Sequence, residues 1–327
     1  MKDIGLVGVP YSGKSTLFTA LTRTGAAGGR ANQAVVPVSD PRLPVLAELE
    51  HSKRIVPAQV RFVDVPGGTS AQGLATLRTT DALCLVLRAF GTDADPAREL
   101  AEVRTDLLLA DLAVVDTSLE NARRRLKGRS AQAEEEIRAL ERAHEALSAE
   151  IPLAEAGLDE PERKFLGGLA PLTLKPWVPV ANLEEGSAIP PDLPDGTIGV
   201  YAEIEAETAA MPAEEARQLL AEFGVKEPGL ERVVAACYGA LDLITFLTTG
   251  EDESRAWEVR RGAKAPEAAG VIHSDMERGF IRAEVISCED VVSAGGWDAA
   301  KHQGLMRVEG KDYVVREGDV LHVRFAL

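Results

Sequence analysis

Apolar and polar positions follow three different rhythms along the chain. Ile4-Gly5-Leu6-Val7 is a short apolar run that predicts a strand, and Thr16–Leu21 behind it reads as the first turns of a helix. Ala34-Val35-Val36-Pro37-Val38 is a further apolar stretch, and Asp40 is placed to cap a helix running through Glu50. Val60-Arg61-Phe62-Val63 alternates with period two, the signature of a half-buried strand. Ala82–Leu87 is continuously apolar, as a strand covered on both faces is. Strands alternating with helices predict an α/β domain with a doubly wound, mainly parallel sheet whose ligand site lies at the strand C-termini.

From Pro96 to about Leu166 the rhythm becomes three-and-four. Leu112, Val115, Leu119, Ala122 and Leu126 form one seam, Lys127-Gly128-Arg129-Ser130 breaks it, and Ile137, Leu140, His144, Leu147 and Ile151 form a second. Two seams around a Gly-containing break predict an inserted antiparallel helical hairpin, with His144 packed inside it. Arg123, Arg124, Arg125, Lys127 and Arg129 make its tip the most basic patch of the chain, which reads as a solvated tip or an RNA-facing one. The sheet rhythm resumes at Trp177–Ala181, where Pro179 is awkward because it cannot donate to a ladder. It continues at Ile198–Ala202, and Glu214–Phe223 and Leu230–Leu241 read as helices. Beyond Asp242 the pattern is strand-rich, with Val271-Ile272, Phe280–Ser287, Met306–Val308, Asp312–Val315 and Val320–Phe325 as predicted strands of a small α+β domain.

Composition narrows the classes. A net charge of −16 argues against gripping nucleic acid through overall charge, and no DNA partner is expected. Cys84, Cys237 and Cys288 are widely spaced and form neither a disulfide framework nor a zinc pattern. The N-terminus offers no apolar core for a signal peptide, and no stretch approaches the ~20 apolar residues of a membrane span. The expectation is a cytoplasmic protein with no membrane partner.

The chemistry sits at Gly8-Val9-Pro10-Tyr11-Ser12-Gly13-Lys14-Ser15, which fits G-x-x-x-x-G-K-[ST] between a predicted strand and a predicted helix. Successive backbone N–H groups of such a loop wrap phosphates, and the helix N-terminus adds partial positive charge. Lys14 is then the phosphate-binding and charge-stabilising cation, and the Ser15 hydroxyl is a Mg²⁺ ligand. Asp64-Val65-Pro66-Gly67 follows a strand in the form D-x-x-G, which places the Asp64 carboxylate near Mg²⁺ and Gly67 near a γ-phosphate.

Longer strings go further. Leu243-Ile-Thr-Phe-Leu-Thr-Thr-Gly250, Arg255-Ala256-Trp257, Ala268-Ala269-Gly270-Val271-Ile272-His273, Glu277–Glu284 and Glu309-Gly310-Lys311-Asp312-Tyr313 make the chain resemble the YchF/Obg-like ATPase family over nearly its whole length. Asp40-Pro41-Arg42-Leu43 and Leu108-Leu109-Ala110-Asp111-Leu112 add to the match. The resemblance implies a nucleotide-binding domain at 1–95 and 167–241, a coiled-coil insert at 96–166 and a ubiquitin-like β-grasp (TGS) domain at 242–327. It also implies slow hydrolysis of ATP with Mg²⁺, and the ribosome or ribosomal RNA as partner.

Asn182-Leu183-Glu184-Glu185 resembles the family's N-x-x-E element, associated with ATP in place of the N-K-x-D that reads guanine. An amide offers a donor and an acceptor to adenine. Without the short aspartate, guanine leaves donors unpaired, at about 1–3 kcal/mol. The nucleotide-contacting set is thus Gly8 through Thr16 and Gly67, with Phe90, Asn182, Leu183, Glu185 and Ala202 around the base. Phe90 and Leu183 read equally well as base-packing residues or as ordinary core.

The chain also departs from the family pattern. Tyr11 replaces an asparagine, Gly28-Gly29-Arg30-Ala31-Asn32 replaces T-x-x-P-N, Gly68–Gly73 is short, and Gly91–Pro96 lacks the family's catalytic histidine. Gln72 reads better as a surface residue than as a water-positioning one, so no general base is identified. The alternatives left open are a nucleotide-controlled binding module with vestigial hydrolysis and a GTP-binding protein.

Overall fold

A computed structural model describes residues 1–23, 33–65, 67–125, 131–209, 211–223, 225 and 228–326. The elements run β1 (Lys2–Val7), α1 (Lys14–Arg23), β2 (Gln33–Pro37), α2 (Arg42–Leu49), β3 (Ile55–Val56), β4 (Gln59–Asp64), α3 (Ala71–Arg78) and β5 (Ala82–Ala89). There follow α4 (Pro96–Arg125), α5 (Ala131–Ser148), α6 (Glu160–Gly167), a 3₁₀ turn (Leu172–Leu174), β6 (Trp177–Leu183), β7 (Ile198–Val200), α7 (Ala202–Thr208), α8 (Ala213–Glu222) and α9 (Gly229–Ala240). The remainder is β8 (Leu243–Thr248), β9 (Ser254–Arg260), α10 (Ala265–Ile272), α11 (Ser274–Arg278), β10 (Phe280–Ser287), α12 (Cys288–Ala294), α13 (Trp297–His302), β11 (Arg307–Glu309) and β12 (Asp319–Phe325).

The chain divides into two compact units. One comprises Lys2–Val36 and Arg61–Cys237. Its sheet has the order β2-β4-β1-β5-β6-β7, and β1, β5, β6 and β7 pair in parallel. Val7, Leu83 and Leu85 of this sheet bury themselves against Val103 and Leu107 of α4, which explains the unbroken apolar run of β5. Pro179 is accommodated because the ladder between β6 and β7 begins only at Val180.

The helical hairpin also belongs to this unit, its two long helices closing on Leu108, Val115, Leu119, Leu140, Ala143 and Leu147. His144 lies beside that seam, half exposed, with its Nε2 3.2 Å from Asp116 Oδ1; the smaller Ala143 takes the packed position instead. Residues 126–130, which hold the predicted break at Lys127–Ser130 and the last seam residue Leu126, lie outside the described residues. Asp159 and Glu162 form a reciprocal capping box at the start of α6.

The second unit comprises Met1, Pro37–Val60 and Tyr238–Leu327. Its sheet runs β11-β10-β12-β8-β9-β3 with antiparallel and parallel pairs mixed, and β3 joins it through β9. Segment 37–60 therefore packs with residues distant in sequence, something local periodicity does not report. Helix α10 lays Ala265, Ala268 and Ala269 on Phe246, Ala283 and Val285.

Four predicted details change. Val271-Ile272 is the end of α10, because Pro266 starts a helix and the alanine face at three- and four-residue spacing prevails over the apolar pair. Asp312–Val315 is a turn that contributes one isolated bridge, Lys264 with Val314. Ala202 begins α7 instead of ending a strand. Asp40 accepts the Arg42 N–H at 3.0 Å one residue ahead of the helix cap Pro41.

Candidate functional site

The phosphate loop closes between β1 and α1. Tyr11 and Gly13 both take left-handed backbone conformations, φ 67° and 87°, which turn the chain back onto the helix N-terminus. Tyr11 is 90% exposed, so its bulky side chain carries the conformational cost of a non-glycine residue there without a packing return. Two glycines are sterically required. A Cβ on Gly8 would stand 2.3 Å from the Val86 carbonyl oxygen, and one on Gly13 would stand 2.1 Å from Asn182 Nδ2. The Ser12 hydroxyl is buried beneath the loop without a hydrogen-bond partner among the described residues.

Lys14 folds over this loop. Its Nζ donates to the carbonyls of Gly8 at 2.8 Å and Val9 at 3.1 Å, leaving one ammonium donor over. Burial lowers the Lys14 pKa, while Asp64 and Glu99 pull it back up. Burial raises that of Asp64, and Lys14 opposes the rise. Asp64 ends β4, half-buried, and the turn that follows brings Gly68 against the carbonyl of Gly8. Gly67 is exposed with φ 81°; Pro66 lies outside the described residues, as does the replaced stretch 28–32. Ser15 is exposed and Thr16 half-exposed in the first turn of α1, while Pro10 is exposed and Val9 is partly buried against the core of Val7, Leu83 and Leu85.

Ser15 and Asp64 together offer one hydroxyl and one carboxylate. Hard oxygen donors beside a carboxylate that burial disfavours as an anion suit Mg²⁺. Among the described residues, no group of three or more His, Cys, Asp or Glu side chains is arranged to hold a metal.

Asn182, at the end of β6, is 6% exposed and ties three segments together. Its Nδ2 donates to the Ser12 carbonyl at 3.4 Å, and its Oδ1 accepts from the N–H of Ala202, the first residue of α7, at 3.2 Å. An amide nitrogen carries two N–H groups, and the Ser12 carbonyl takes one of them. Asn182→Ala should therefore weaken ATP and GTP binding in parallel by about tenfold, the equivalent of losing one or two buried hydrogen bonds. Isothermal titration checks this, and a change confined to one nucleotide would contradict the tie.

Leu183 is buried with Leu87, Ala181 and Leu193 in a core cluster under the strand. Phe90 is half-exposed, its ring edge 3.8 Å from where a Gly13 Cβ would stand. Glu185 is exposed at the corner of a turn closed by the Ser187 N–H to Glu184 carbonyl bond at 3.0 Å. Sequence reasoning passed over Glu184, whose Oε2 accepts the Gly91 N–H at 3.3 Å, and Glu99, whose Oε2 accepts the Arg88 N–H at 2.8 Å. Glu99 stands in no motif and Glu184 occupies an unspecified position of N-x-x-E; only the fold brings them to the strand ends. Gln72 is exposed in the first turn of α3. On the hairpin, Arg123 pairs with Glu141 at 2.6 Å and Arg124 with Glu120 at 2.9 Å.

Comparison with known proteins places this geometry among relatives. Residues 243–326 match the family model YchF-GTPase_C, described as a protein of unknown function (DUF933), and residues 3–118 match MMR_HSR1, described as a 50S ribosome-binding GTPase. The Ribosome-binding ATPase YchF of Haemophilus influenzae is 39% identical over 356 aligned positions, covering 98% of each chain. That of Bacillus subtilis is 37% identical over 359 positions, again covering 98% of each. The solved structure of the Schizosaccharomyces pombe YchF GTPase superposes with a TM-score of 0.91 at 29% identity, covering 99% of this chain and 97% of that one. Both sequence alignments are longer than the 327 residues of this chain, so these relatives carry segments that it lacks.

Proposed function

The chain belongs to the YchF family, and we propose that it binds ATP with Mg²⁺ at the Gly8–Ser15 loop, hydrolyses it slowly and associates with the ribosome. The observation that carries this reading is the closed phosphate loop, with Lys14 seated on the Gly8 and Val9 carbonyls beside Asp64. A loop already shaped before ligand arrives loses little entropy when phosphates enter it.

The loop N–H groups and the N-terminus of α1 hold the phosphate oxygens, and Lys14 neutralises charge that builds on them during transfer. Ser15 and Asp64 would hold Mg²⁺, which supplies further charge neutralisation at the β- and γ-phosphates. Asn182 keeps the phosphate loop in register with the base side of the site. The base preference follows from Glu185 standing where guanine recognition needs a shorter aspartate. Slow turnover is the expectation because the loop at Gly91–Pro96 contains no histidine and Gln72 is exposed in the first turn of α3.

A second reading, a nucleotide-controlled binding module without hydrolysis, is favoured by the segments this chain lacks relative to its family. Single-turnover hydrolysis with and without ribosomes decides between them. Phosphate release in either condition supports the enzyme, and none in both supports the module. Titration with Mg²⁺ and non-hydrolysable ATP and GTP analogues should show ATP binding more tightly. Equal affinities would remove the base assignment.

A further inference from the structure

We infer that Glu184 is a positioning residue for the nucleotide: its carboxylate holds the loop after β5 so that Phe90 forms one wall of the base site. The inference rests on the nucleotide reading above and adds to it a residue that the N-x-x-E pattern leaves unspecified.

Strands β5 and β6 run in register up to the pair Ala89 and Leu183. The next residue on each, Phe90 and Glu184, therefore leaves the sheet side by side at the strand C-termini, where open parallel sheets bind their ligands. The backbone ladder ends there, and a side chain takes over. Glu184 Oε2 accepts the Gly91 N–H at 3.3 Å, bridging the two strand ends just beyond the last ladder pair.

The same loop is held from its other side. Arg88 donates its backbone N–H to Glu99 and its guanidinium to the Asp93 carboxylate and carbonyl at 3.2–3.3 Å. Between these two restraints stands Phe90, half-exposed, with its ring edge beside Gly13. An aromatic face next to the last glycine of a phosphate loop is suited to a base or its sugar, provided its backbone does not wander. Arg88 and Asp93 fix the far side of the loop; Glu184 fixes the side facing the base. Exposure limits the strength of a single such bond, so the expected effect is moderate and reads out through Phe90.

A double-mutant cycle on the full chain tests this, with the ATP dissociation constant as readout. Phe90→Ala should weaken ATP about tenfold, the size of one base–aromatic stack. Glu184→Ala should weaken it about fivefold, and the double variant should bind like Phe90→Ala alone, because the carboxylate acts only through the ring. Glu184→Gln should bind within about twofold of the parent, since its carbonyl oxygen accepts the same Gly91 N–H. Additive losses, a Glu184→Gln as weak as Glu184→Ala, or an unchanged Glu184→Ala would each overturn the inference. Lys14→Ala measured alongside separates the two levels. If it abolishes binding while Glu184→Ala does nothing, only the positioning role fails. If it too leaves binding intact, the nucleotide site itself is misassigned. Thermal unfolding of the Glu184 variants should match the parent, as the side chain is exposed.

Discussion

Lys14→Ala should weaken ATP binding by about 100-fold or more and abolish measurable turnover. Loss of one charge-assisted contact to phosphate is worth roughly 1.5–3 kcal/mol, and in the proposed site the Lys14 ammonium would face the β- and γ-phosphates. Its two bonds to the Gly8 and Val9 carbonyls would also be lost, so the loop itself relaxes. Desolvation adds to the effect. Burial lowers the pKa of Lys14, which means its ammonium is poorly hydrated in the free protein and gains the more from an arriving anion. Lys14→Arg separates charge from fit: it keeps the cation but cannot place a single compact ammonium on the two carbonyls, and it should recover little. Calorimetric titration with the analogue and Mg²⁺ measures both variants, and an affinity within threefold of the parent for Lys14→Ala would locate the phosphates elsewhere.

The second large effect concerns stability. Asp111→Ala should cost about 3–5 kcal/mol, the penalty for breaking a buried, hydrogen-bonded charge pair from one side. Asp111 is fully buried in α4 and accepts four bonds: from Arg78 Nη1 at 2.8 Å, the Leu172 N–H at 3.0 Å, the Thr173 N–H at 2.7 Å and the Thr173 hydroxyl at 2.8 Å. Removing it strands two buried backbone donors as well as Arg78. Arg78 closes the last turn of α3 and also donates to the Ala110 and Ala170 carbonyls at 3.0 Å.

Lys175 caps the same helix end through the carbonyls of Leu77, Arg78 and Thr80, its pKa lowered to about 8 by burial. The joint thus anchors the helix that follows the D-x-x-G turn to the base of the hairpin. Urea unfolding should show a lower midpoint at unchanged slope. A loss below about 1 kcal/mol would mean that Arg78 and the stranded N–H groups find water instead.

The parallel sheet, the phosphate loop and the hairpin were legible because each rests on local chemistry. Gly8 and Gly13 are demanded by backbone approach, Lys14 and Ser15 follow at fixed spacing, and the two seams repeat every three or four residues. Periodicity also names the wrong residue when two neighbours compete, as His144 and Ala143 do. The rotation of roughly 100° between neighbouring helical residues is invisible in a pattern of apolar steps, and only the facing helix chooses between them.

Residue types and their spacing were thus enough to indicate a P-loop α/β unit with an inserted helical pair, and to propose the phosphate end of the site, since loop chemistry and amphipathic rhythm act over a few residues. The surroundings of the residues proposed for the base side were decided by folding alone. Asn182 became a tie between Ser12 and Ala202, Leu183 went into the core, Glu184 reached Gly91, and segment 37–60 joined the C-terminal sheet. Each of those outcomes depends on which strand ends meet, a property of sheet order and register that no short window of sequence contains.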